Sequence, residues 1–146
     1  MSAYLETSFL VSLYTSDANS TAAALAMRRA TGPFPIGPFG ELELANAIEL
    51  RRFRREINAE QARAALADVA SDLAHGVFYA VAIPAAIYDH ARMLARKHAA
   101  VSGTRTLDIL HVAAALTLAA ESFYTFDRRQ AQLARAEGLA TPVRIP

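Results

Sequence analysis

Four carboxylates, far apart along the chain, stand where a protein can do chemistry: Glu6, Glu43, Asp108 and Asp127. Asp108 opens the stretch 103–118, GTRTLDILHVAAALTL, which reads as one largely buried helix. A buried charge must be paired or bind a metal. The chain has no cysteine, so no thiolate site competes for that role. Three or four carboxylates with few histidines suit a hard cation, Mg²⁺ or Mn²⁺. Such an ion orients phosphate oxygens and activates water for in-line attack on a phosphodiester. No Cys–His or Ser–His nucleophile is then needed.

Each residue also has a plainer reading. An Asp in the first turn, as at Asp108, complements the helix dipole. Asp127 has the spacing of an N-cap, with Gln130 completing a capping box. Glu43, beside Glu41, defaults to solvated helix surface, and Thr7 and Ser8 default to turn or cap groups. His111 lies one turn after Asp108 on the same side, as a core group or a support for the site rather than a ligand. The cation reading therefore depends on the four carboxylates meeting.

The elements predicted around them can bring that about. Ala3–Leu5 is a strand candidate, followed at once by Glu6, and 9–14 a short helix. An alanine-rich helix is expected over 21–30, closed by Gly32 and Pro33. A weak strand at Phe34–Ile36 contains Pro35. The long helix 39–54 takes its apolar stripe from Leu42, Ala45, Ile48 and Leu50 and ends in arginines. Asn58 with Gln61 opens another helix, to about Ala74. The run 77–83, apolar on both sides, reads as a buried parallel strand. Pro84 starts a helix reaching about Ala100. After the 103–118 helix come a strand at 122–125, a helix at 128–137 closed by Gly138, and a candidate edge strand at 141–145. Strands alternating with helices predict an α/β fold: a three-layer α/β/α sandwich on a mainly parallel sheet of four or five strands. In such a sheet the ends of the first and fourth strands share an edge with helix starts, where open α/β sheets bind ligands.

At 146 residues, 53% of them hydrophobic, the chain is expected to be one domain, 1–146, with a sizeable core and no disorder. A net charge of +1 and a pI near 8.2 exclude little. Arginines cluster at Arg51, Arg52, Arg54 and Arg55 and again at Arg128 and Arg129, and such patches can hold nucleic-acid phosphates. Arg105 is better placed, close to Asp108. No basic leader precedes an apolar run, and 77–88 is too short to span a bilayer. The lack of cysteine suits a reducing compartment, and a cytoplasmic, non-membrane protein is expected.

YLETSFLVSLY, ELELANAIELRRF, GTRTLDILHVAAAL and FYTFDRRQAQLARAEGL together resemble the PIN-domain ribonucleases, and among them the VapC-type toxins of prokaryotic toxin–antitoxin pairs. The likeness spans about 4–139. It implies that Glu6, Glu43, Asp108 and Asp127 bind Mg²⁺ or Mn²⁺ and carry catalysis, with Thr7, Ser8 and Asn46 in support. Arg105, Arg128 and Arg51 are the RNA-contacting candidates. It also implies an RNA substrate cut to 5′-phosphate and 3′-hydroxyl ends, a cognate VapB-type antitoxin and a homodimer. The family's first acidic position is usually aspartate; here it is Glu6, one methylene longer. That departure keeps a second reading open: a catalytically degenerate PIN-like domain that binds RNA or protein. A third is a plain α/β interaction module whose carboxylates are caps and surface charges.

Overall fold

The structure is a computed structural model and describes residues 2–146. The chain alternates short strands with helices: β1 (Ala3–Leu5), α1 (Thr7–Tyr14), α2 (Ser20–Met27), β2 (Phe34–Ile36), α3 (Pro38–Phe53) and α4 (Ala59–Ala74). There follow β3 (Phe78–Ala80), α5 (Ala86–Leu94), a π-helical turn (Ala95–Ala99), α6 (Ala100–Ser102), α7 (Thr106–Thr117), β4 (Ser122–Tyr124) and α8 (Arg128–Ala136).

Every strand pairing is parallel. β1 runs beside β4 in register Ala3–Ser122 to Leu5–Tyr124, and β2 beside β3 in register Phe34–Phe78 to Ile36–Ala80. β1 also lies against β2, giving the spatial order β3, β2, β1, β4. The α/β class and parallel direction match expectation, but the strands hydrogen-bond as two separate pairs. The expected fifth strand at 141–145 shrinks to a bridge between Ser122 and Ala140. The run 77–83 also departs from expectation. Only Phe78–Ala80 is strand, and Tyr79 and Ala80 face solvent. β3 is an outer strand, and unlike β4, whose Ser122 is bridged by Ala140, it has no strand beyond it among the described residues.

The helix ends follow local chemistry. Asn58 Oδ1 accepts from the Gln61 N–H while the Gln61 side chain accepts from the Asn58 N–H, a complete capping box. Gly103 and Gly138 adopt φ of 66° and 89° and close α6 and α8. On α3 the apolar stripe is rotated from the expected one: Leu44 and Ile48 are buried, whereas Leu42 is 71% exposed and Leu50 is exposed too. The periodicity of ELELANAIEL fits both phases, and the Leu44 phase turns Glu43, not Glu41, toward α7.

Two apolar clusters flank the strands. One gathers Phe9, Leu10, Phe34, Leu44, Ile48, Phe78 and Tyr124. The other is built on α7, whose Val112, Ala113, Ala114 and Ala115 are fully buried against α5, Phe123 and α8. Small side chains let α5 approach α7 closely.

The π turn is tied to the end of α8. Glu137 Oε1 accepts from Lys97 Nζ at 2.8 Å and from His98 Nε2 at 2.5 Å. Burial alone would raise the Glu137 pKa; the Lys97 and His98 bonds outweigh it and hold the carboxyl below its ordinary value. That contribution is present above the unfolded glutamate pKa and lost as pH falls through the folded one. Glu137→Gln is therefore expected to lower the melting temperature at pH 7 by about 2–4 °C, on the order of 1 kcal/mol. The difference from wild type should fade in acid melts; an undiminished difference there would show that the charge is not its source.

Candidate metal centre

Glu6 is the first residue after β1 and the N-cap of α1. Its N–H donates to Tyr124 O, which fixes the backbone at the strand edge. Its longer side chain curls back over the helix start. Oε2 accepts three bonds: from Ser8 N at 3.0 Å, Ser8 Oγ at 2.6 Å and Thr125 Oγ1 at 2.8 Å. Oε1 remains turned toward Gln130, whose Nε2 lies at 3.3 Å. The extra methylene is thus taken up by the cap, and one oxygen is left for the cleft.

The same Gln130 nitrogen donates to Asp108 Oδ1 at 2.8 Å. One amide therefore holds Glu6 and Asp108 side by side. Asp108 sits at the third position of α7, and its Oδ2 accepts from the N–H of Arg105 at 3.3 Å and from Arg105 Nε at 3.2 Å. The Arg105 side chain is 75% exposed and covers the mouth of the site.

Glu43 reaches in from α3 and accepts from His111 Nε2. His111 is 1% exposed; its Nδ1 meets Tyr4 Oη at 2.9 Å and its Nε2 also lies 3.4 Å from Thr7 Oγ1. Ligand atoms of Glu6, Glu43 and His111 all fall within 4.8 Å of one another. Beside them opens a depression of about 360 Å³ lined by Glu43, Arg105, Thr106, Leu107 and Asp108.

The two clustered carboxylates are pushed apart electrostatically. Burial drives the Glu6 pKa above its ordinary value; His111, Ser8 and Thr125 act the other way without cancelling it. Burial pushes Glu43 in the same direction, but the His111 bond, the pull of that imidazole and Thr7 outweigh it, so Glu43 stays below its ordinary value. Glu6 is thus a buried carboxylate short of positive charge, as a cation-free ligand set would be. A further sign lies next to it: among the described residues the buried Gln130 Oε1 has no hydrogen-bond partner. The carboxylate oxygens fit Mn²⁺ or Mg²⁺ by donor chemistry, and a cation there would relieve the charge that burial opposes.

The other sequence candidates fall as follows. Asp127 caps α8, accepting from Gln130 N at 3.0 Å, and stands outside the tight group. Gln130 does not complete a capping box with it, because its side chain has gone to Glu6 and Asp108. Ser8 and Thr7 both reach the site, Ser8 through Glu6 and Thr7 through His111. Asn46 is exposed on α3, and among the described residues no hydrogen bond ties it to the carboxylates. Arg128 is exposed and bonds the Pro146 carbonyl. Arg51, proposed for RNA, is instead held by Asp17 at 2.6 Å and Glu56 at 3.8 Å, so its charge is neutralised within the fold. Gln130 and Thr125 were missed. Gln130 lies on the stripe with Ala131, Leu133 and Ala134 that α8 buries, and a polar residue on a buried stripe is the signal that marks it.

The PIN domain family's sequence profile matches residues 3–136. The chain belongs to the PIN-domain family. No curated protein is matched in sequence. Among solved structures, the chain is similar to Mycobacterium tuberculosis VapC20, described as a Sarcin-Ricin loop cleaving toxin. That likeness has a TM-score of 0.72 at 19% identity and covers 94% of this chain and 97% of the other. It bears on the fold, which is the PIN fold. Among the described residues no helix is long and apolar enough to cross a membrane.

Proposed function

We propose that this PIN domain is a Mg²⁺- or Mn²⁺-dependent endoribonuclease, the toxin of a VapBC-type pair. The observation that carries the reading is the convergence of Glu6 and Glu43 with His111, and the tether of Asp108 to Glu6 through Gln130. Glu6, Glu43 and Asp108 would hold the ion, with Asp127 at the margin through its cap at α8. A divalent cation bound there supplies polarisation of the scissile phosphate and an activated water. The protein's own groups do the rest. Arg105, mostly exposed beside Asp108, offers a guanidinium to a phosphate oxygen. Ser8 and Thr125 fix the Glu6 carboxylate, so its free oxygen needs no rearrangement when the substrate arrives. The structural likeness to VapC20, described as a cleaving toxin, supports the toxin assignment. A VapB-type antitoxin partner, a homodimer and a cytoplasmic site of action belong to the same proposal, from the resemblance to VapC-type toxins.

The purified protein is expected to cut a structured RNA in Mn²⁺, to lose that activity in excess EDTA, and to regain it when Mn²⁺ is restored. Asp108→Asn, prepared in parallel, should leave the RNA intact and so exclude a contaminating nuclease. Cleavage that survives EDTA, or that is equal in wild type and Asp108→Asn, defeats the proposal. A protein that binds RNA without cutting it under any divalent ion would favour the degenerate domain that Glu6 brought to mind.

A further inference from the structure

Tyr4, buried behind His111, has no part in the scheme above. Tyr4 lies on β1, 4% exposed, its ring stacked parallel on Phe123 at 5.6 Å and edge-on to His111 at 5.8 Å. Phe39 closes the other side of the imidazole, with ring centroids 4.9 Å apart. His111 is thus clamped between two aromatic rings, and both its nitrogens are engaged: Nδ1 with Tyr4 Oη, Nε2 with Glu43.

The direction of the bond to Glu43 follows from the donor inventory. A carboxylate only accepts, so Nε2 carries the hydrogen shared with Glu43. Tyr4 Oη, 2.9 Å from Nδ1, holds the imidazole from behind. The result is a buried chain from Tyr4 through His111 to the Glu43 carboxylate.

Glu43 needs such a support more than its partners do. Glu6 has three donors on one oxygen and Asp108 has Arg105 and Gln130. Glu43 comes from a different helix on a long side chain, 27% exposed, with the exposed Arg105 side chain across the same depression. Without His111 only the Thr7 hydroxyl would hold it.

We infer that Tyr4 and His111 form a positioning pair whose task is to aim the Glu43 carboxylate at Glu6, with Tyr4 fixing the orientation of the imidazole. The pair works through Glu43 and touches neither substrate nor the reacting atoms. Outer partners of this kind set the orientation of a ligand, and their loss typically costs 10–100-fold in metal affinity or activity.

This inference rests on the carboxylates being a cation site, and the test separates the two. Calorimetry of the metal-free protein with Mn²⁺ should show Tyr4→Phe binding about tenfold more weakly than wild type, although the variant keeps the ring stack and loses one oxygen. His111→Gln retains a donor at the Nε2 position and should bind Mn²⁺ more tightly than His111→Asn, whose amide reaches only the Tyr4 side. Equal Mn²⁺ affinity in wild type and Tyr4→Phe overturns the positioning role alone. A wild type that takes up no Mn²⁺ overturns it together with the nuclease reading. Should His111→Asn fail to fold, the Tyr4→Phe comparison still decides.

Discussion

Replacing Glu6 by glutamine is expected to reduce Mn²⁺-dependent RNA cleavage at least ~100-fold and, in the same protein, to raise the melting temperature of the metal-free form at pH 8. The loss follows because a ligand is made neutral, which should exceed the 10–100-fold typical of outer partners. The gain follows from burial. Glu6 is 3% exposed, and its pKa is raised because burial disfavours the charged form. A group whose folded pKa exceeds its unfolded one contributes stability below the unfolded pKa and loses it as pH rises through the folded pKa. At pH 8 the wild type holds this buried charge without its cation, whereas glutamine carries none. Its carbonyl can still accept from Ser8 and Thr125, which now bond Glu6 Oε2. Neutralising a buried charge in a satisfied site is often stabilising by ~1–4 kcal/mol, and ~1 kcal/mol here means a rise of about 2–4 °C. The difference should shrink as the buffer is made acidic. Cleavage within tenfold of wild type would remove Glu6 from the ligand set; a lower melting temperature at pH 8 would refute the burial argument.

Much of this arrangement was legible in the residues, and the failures have physical causes. Glu6 and Asp108 were readable because each stands at a boundary between an apolar run and a polar turn, where a charge has a reason to exist. Glu43 was readable as a candidate but not as the inward-facing glutamate. Glu41 and Glu43 are two residues apart, and the stripe of α3 fits either Leu42 or Leu44. Only packing against α1 and α4 chooses the second. Gln130 and Asp127 illustrate a different limit. Their spacing is that of a capping box, but a helix start needs only half of one, and the Asp127 half is present. The glutamine is released for a long-range bond that no local pattern announces. β3 was misjudged because hydrophobicity alone does not say whether a strand has neighbours on both sides. Tyr79 and Ala80 belong to an outer strand and lie open.

Phe9→Ala is expected to cost about 3–5 kcal/mol, the largest single loss of stability predicted for this chain. Phe9 is fully buried, meets Tyr124 edge-on at 5.3 Å and stacks with Phe126 at 5.8 Å. Such ring pairs add ~0.5–1.5 kcal/mol beyond their buried area. The cavity cannot easily collapse, because its walls are pinned from outside. Tyr124 O accepts the Glu6 N–H, and the Phe126 N–H donates to Ser8 Oγ at 2.9 Å. The same Ser8 hydroxyl donates to the Glu6 carboxylate, so the core and the candidate metal site share supports. Against a total stability of roughly 5–15 kcal/mol, the loss amounts to a melting temperature lower by on the order of 10 °C. Urea unfolding of the variant should give a lower midpoint with an unchanged slope, the sign of lost stability rather than an altered unfolded state. Metal affinity measured well below the new melting temperature should fall as well, because Ser8 and Phe126 are no longer braced by the ring. A fall in melting temperature below about 3 °C would mean that the neighbouring rings close the cavity, and that the supports of Glu6 do not depend on Phe9.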